Sequence, residues 1–127
     1  MSEIIQILKD EKNQAPIPTA WRRSFIDIVE GLKADDFDLV RKVDGVRPIS
    51  VEDAARIGDN IKRYGAHLTS LPLETWRTSV CQWMIGYWDV LVDLYTAEEG
   101  ASDLVLVARV YEVDQAFGFE ILSVHVP

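Results

Sequence analysis

The hydrophobic period of this chain changes near residue 75, and that change restricts its fold more than any other feature. Before it, apolar residues recur at helical spacing. Trp21, Phe25, Ile28, Val29 and Leu32 lie at offsets of four, seven, eight and eleven, one stripe of an amphipathic helix that follows Pro18 with Thr19 as its expected cap. Ser50 with Asp53 resembles a capping arrangement for a second such helix, carrying Ala54, Ile57, Ile61 and Tyr64 and closed by Gly65. Residues 3 to 12 place Ile4, Ile5, Ile7 and Leu8 on an incomplete stripe that predicts a short first helix, stopped by Pro16 and Pro18. Gly31 weakens the last turn of the Trp21 helix, and Phe37, Leu39 and Val40 are expected to begin a brief edge segment.

From Thr75 the period is two. Trp76, Thr78, Val80, Gln82 and Met84 alternate with Arg77, Ser79, Cys81 and Trp83, predicting a first long strand that ends near Gly86. Trp88, Val90, Val92 and Leu94 then alternate with Asp89, Leu91, Asp93 and Tyr95. Leu104, Leu106, Ala108 and Val110 alternate with Val105, Val107, Arg109 and Tyr111. Residues 114 to 118 predict a hairpin turn, with Gly118 suited to positive φ, before a last strand from Phe119 to Val126. Short connections make these strands an antiparallel meander. The whole of 1–127 is therefore expected to be one α+β domain, three N-terminal helices packed on a curved antiparallel sheet of about four strands.

That order of elements, with the closing run from Phe119 to His125, resembles the cone-shaped fold named after nuclear transport factor two, which implies helices and long strands around a pocket. A second resemblance rests on Pro18 to Arg22, the Tyr64-Gly65 pair, Leu71-Pro72, Trp76, the Trp88 to Leu94 run, Glu98-Glu99-Gly100 and Ser102-Asp103-Leu104. These residues look like those of an uncharacterised bacterial family of unknown function, which implies a bacterial setting and no chemistry.

Thirteen basic against 21 acidic residues give a net charge of -8. Such a field repels nucleic acid and anionic lipid and favours a basic protein partner. The lone Cys81 cannot form an internal disulfide, and the apolar stretch near the amino terminus is too short for a signal peptide or a span, so a cytoplasmic protein is expected. His67 and His125 have no helical histidine spacing to support a metal, Glu98 to Asp103 lack the ligand pattern of a calcium loop, and no phosphate-binding glycine loop occurs. No cofactor or metal is expected. Cys81 reads as a buried, inert thiol.

The residues that could carry function are few. Asp89 and Asp93 share a strand face, with Arg77 and Arg109 at the parity to pair with them across strands. In a pocket of the cone-like kind, Asp93 would act as general base beside Tyr95 or Tyr111, with His125 as a further polar group. Trp76, Trp83 and Trp88 fall within thirteen residues and suit a core or an interface. Opposite parity of Trp76 and Trp83 would put one on each sheet face, and with Val105 and Val107 this suggests a homodimer through the sheet.

Two functions follow as expectations. The first is a noncatalytic protein-binding domain, one version being an immunity-type inhibitor of a basic partner, with Trp76, Trp83, Trp88, Asp89 and Arg109 at its surface. The alternative is a pocket protein of cone-like fold that binds, isomerises or hydrolyses a small molecule, with Asp93, Tyr95, Tyr111 and His125 as its candidate catalytic groups.

Overall fold

A computed structural model describes residues 7–127. Its first long helix, α1, spans Thr19–Lys33 and buries Trp21, Phe25, Ile28, Val29 and Leu32, the stripe read from the sequence. Pro18, rather than Thr19, occupies the cap position, and no side chain caps the helix. Thr19 is the first helical residue. The Phe37 segment is not an edge strand: Phe37–Arg41 forms a short helix, α2. Its reason lies in Gly31, where a Cβ would stand 2.5 Å from Val40 Cγ2, so the glycine lets α2 fold back onto the end of α1.

The helix α3 spans Val51–Tyr64, with Ser50 Oγ accepting from Asp53 N at 3.1 Å and Gly65 closing it in the left-handed region at φ 81°. Both ends match their sequence signals. The helix expected over residues 3 to 12 falls partly outside the described residues, and Ile7 to Lys12 are not helical.

Five strands form one antiparallel sheet in chain order: β1 (Ala15–Pro16), β2 (Val80–Trp83), β3 (Trp88–Thr96), β4 (Gly100–Val113) and β5 (Ala116–His125). The meander is as expected. The α+β class holds, with two long helices, the short α2 and five strands in place of three helices and about four strands.

The strand predicted from Thr75 is the largest departure. Leu73–Arg77 is a 3-10 turn, and β2 begins only at Val80. Side-chain hydroxyls replace strand pairing there. Thr75 Oγ1 donates to the main-chain oxygen of Asp93 at 2.6 Å, and Ser79 Oγ accepts from Asp93 N at 2.9 Å. Both residues are buried, and their two hydroxyls stand 3.1 Å apart. The alternation of β-prone residues could not reveal this, because threonine and serine offer the backbone a competing partner.

One sheet face is the core. Trp88, Val90, Val92 and Leu94 of β3 and Leu104, Leu106, Ala108 and Val110 of β4 are buried. They meet α1, where Trp21 stands edge-on to Trp88 at 5.1 Å and Phe25 to Phe119 at 5.4 Å. Burial of each of these valine, leucine and phenylalanine side chains contributes roughly 1.5–3 kcal/mol. The edges of the sheet are managed separately. On one side β1 is two residues long and ends in Pro16. On the other, Arg47 N donates to Phe119 O at 2.8 Å, and Asn60 Nδ2 on α3 donates to Val124 O at 3.0 Å. Helix α3 therefore lies along the rim of β5, and among the described residues the second face of the sheet carries no helix.

The β4–β5 turn is made by Asp114 and Gln115, with φ of 46° and 66°, whereas Gly118 lies within β5 and is not in the left-handed region. Positive φ at both central residues fits a two-residue hairpin of the primed type.

Candidate functional site

The sheet face without a helix is where most of the singled-out polar residues lie. Asp89 opposes Arg109 in the register, and Arg109 Nε approaches Asp89 Oδ1 to 3.5 Å. Their expected cross-strand pairing is thus realised. Arg77 is not part of it, because it ends the 3-10 turn, exposed and outside the sheet.

The four groups proposed for a catalytic pocket do not converge. Asp93 opposes Val105, and Val105 opposes His125, so Asp93 and His125 are separated by two strand spacings, about 10 Å, with Val105 between them. Tyr111 lies six residues beyond Val105 on β4, about 20 Å along the strand from the level of Asp93. Tyr95 faces Ala101 at the other end, past a bulge between Asp93 and Tyr95. The nearest polar partner of His125 is Ser123, whose Oγ stands 2.7 Å from Nδ1. Asp93 therefore has neither Tyr111 nor His125 beside it.

The tryptophans are not at this face. Trp88 is buried between Trp21 and Trp83, the latter at 4.6 Å, and Lys9 Nζ lies 5.0 Å from the Trp83 ring. Trp76 is buried in the 3-10 turn with the Arg22 guanidinium 5.4 Å away. Its place off the strands removes the parity argument for a dimer.

Instead the structure assembles a ladder of arginines and tyrosines that the sequence reading missed. Arg47 Cζ stands 4.0 Å over the Tyr111 ring, Tyr111 lies 5.7 Å from Tyr87, and Arg109 Cζ stands 4.5 Å over Tyr87. Glu120 closes one end, accepting from Tyr111 Oη at 3.1 Å and facing Arg47 at 3.8 Å. Each cation–ring contact contributes about 0.5–1 kcal/mol where solvent reaches it. The neighbouring floor, Val80, Leu91, Val107 and Leu122, bounds a depression of about 330 Å³. Tyr87 and Tyr111 could have been paired by extending the Trp88 to Val110 register by one residue. Arg47, from the loop before α3, had no local signal.

At the end of this ladder the β2–β3 hairpin turns through Ile85 and Gly86, with φ of 59° and 115°, and Met84 N donates to Tyr87 O at 2.8 Å. A β-branched residue in the left-handed region is strained by about 1–3 kcal/mol. Ile85 gains no burial in exchange: it is 71% exposed, beside Met84 at 43%.

Elsewhere, Cys81 is buried, and burial alone pushes its thiol up to about 11. Among the described residues no group of three or more histidine, cysteine or carboxylate side chains could hold a metal ion, and no helix is long and apolar enough to cross a membrane.

These elements define an α+β protein with a helix-covered core face and an open, arginine–tyrosine face on a five-stranded meander. The chain belongs to the family described as domain of unknown function DUF7668, whose family model matches residues 29–127. That span runs from within α1 to the end of the chain. No curated protein and no solved structure matches it.

Proposed function

We propose that this chain is a noncatalytic protein-recognition domain of the bacterial cytoplasm that seats a basic partner on its open sheet face and β2–β3 tip. Ile85 carries the reading. A strained, exposed isoleucine is unfavourable to the free chain twice over, through its backbone and through its hydrated side chain, and a partner's apolar cleft offsets the second cost. Tyrosine and arginine, the residues behind it, are enriched at the centres of interfaces. Asp114 lies beyond the ladder on the β4–β5 turn, and the net charge of -8 favours a cationic surface around the partner's cleft. An inhibitor that masks a basic toxin site is one form of such a protein.

The cone-like enzyme reading is the weaker one, since the strand register leaves Asp93 with neither Tyr111 nor His125 beside it. The test compares the wild type with Ile85→Asn and Tyr87→Ala as baits in bacterial lysate, with light scattering of each alone. Retention of a basic protein by the wild type and its release by both variants is expected. A retained protein indifferent to both substitutions would overturn the site. A wild-type dimer that Ile85→Asn dissociates would show that a second copy of the chain occupies it instead.

A further inference from the structure

Away from the sheet face, the ends of α1 and α3 bound a cleft of about 350 Å³. Its floor is apolar, with Leu32 and Leu68 buried and Ile61 packed against the core. Its rim carries Lys33, Lys62 and His67, with Asp35 as the one carboxylate of the lining. Lys33 is engaged, 3.0 Å from Glu30 and 3.1 Å from Ser70. Lys62 makes no ion pair among the described residues and is exposed. The His67 side chain is exposed, and its Nδ1 lies 2.9 Å from Glu98 Oε1.

Gly58 marks this cleft as space kept open. It stands in the middle of α3, where glycine costs about 1 kcal/mol relative to alanine. Neither backbone nor packing requires it. Its φ is not in the left-handed region, and a Cβ there would meet only Asp35 Oδ1, at 3.8 Å, an ordinary contact. Gly31, by contrast, is demanded by the approach of Val40. The unexplained glycine lies on the wall of the cleft, where any larger side chain would take up its volume.

We infer that this cleft binds a small amphiphilic anion, a monocarboxylate with an apolar tail of medium length. Leu32, Ile61 and Leu68 receive the tail, and Lys62, with His67 at the mouth, receives the carboxylate. The volume lies at the low end of small-ligand sites, which matches a ligand of about ten heavy atoms and an affinity on the order of 1 mM.

The experiment titrates octanoate, 1-octanol and octylamine into the full chain, followed by two-dimensional amide NMR and calorimetry. Saturable octanoate binding is expected, with shifts confined to the ends of α1 and α3. Lys62→Glu is expected to weaken it about tenfold and Gly58→Leu to abolish it. Octanol is expected to bind more weakly and octylamine not at all. Lys62 is exposed, so its variant reports on the site even if Gly58→Leu fails to fold. No saturation by octanoate, or equal binding by octylamine, overturns the inference. So does octanoate binding unchanged in Lys62→Glu.

Discussion

Thr75 and Asp93 are joined by a buried hydrogen bond of 2.6 Å in which a side-chain hydroxyl takes the place of a missing strand. With Ser79 it satisfies both main-chain groups of Asp93, on the side of β3 where β2 has already ended. Replacing Thr75 by valine preserves shape and orphans the Asp93 carbonyl. A loss of about 1–3 kcal/mol in urea unfolding is expected, and Thr75→Ser should lose less. Equal stability of wild type and Thr75→Val would show that water replaces the hydroxyl.

Ile85→Asn puts Asn-Gly in the hairpin, the residue pair best suited to a turn with both central φ positive. The variant should be more stable than the wild type by about 1 kcal/mol, read as a raised denaturant midpoint with unchanged slope. A lower midpoint would mean that Ile85 is not strained.

Gly31→Ala tests the contact between α1 and α2. Helix propensity alone would favour alanine by about 1 kcal/mol. A Cβ 2.5 Å from Val40 Cγ2 opposes it, and overpacking of this kind costs about 1–3 kcal/mol. Net destabilisation is expected, and Gly31→Ala with Val40→Ala should recover part of it. Gly58→Ala, which meets no such neighbour, should be neutral or stabilising. A common sign for the two glycine variants would contradict this account.

Cys81 should resist thiol reagents in the native state. Its thiol, raised to about 11 by burial, is almost wholly protonated at pH 8. Labelling by an aromatic disulfide is expected to follow the unfolding transition in urea. Labelling as fast as a free thiol in buffer would place Cys81 at the surface.

The β3–β4 turn should loosen in acid. The Glu98 carboxyl is held below its ordinary value by the His67 ring and then by the His67 amide, which lies 2.9 Å from Oε1. A depressed carboxyl contributes stability above its unfolded value and loses that contribution as pH falls through the folded one. The stability difference between wild type and Glu98→Gln should therefore be full at pH 6 and shrink below about pH 4. A difference that stays constant from pH 6 to pH 3 would assign the effect to packing.

The elements read correctly are those whose signal is local. The stripe of α1, the Ser50 and Gly65 ends of α3 and the alternation of β3 and β4 each need only neighbours within a few residues. The errors arose where a distant group competes with local preference. Thr75 and Ser79 read as strand because they are β-prone, but their hydroxyls found the Asp93 backbone. Phe37 to Val40 read as strand because they are apolar, and contact with Gly31 makes them a helix. Trp76 goes with them, since in the 3-10 turn it shares no strand with Trp83.

The candidate site divides the same way. Sequence parity alone put Asp89 and Arg109 on one face, since side chains alternate along a strand whatever its neighbours are. Tertiary structure decided the rest. Strand register separated Asp93 from His125 by Val105, loop closure carried Arg47 onto Tyr111, and the turn forced Ile85 into the left-handed region. Those outcomes depend on contacts between residues far apart in the chain, whose pairing is set by the packing of the whole core and not by any local run of residues.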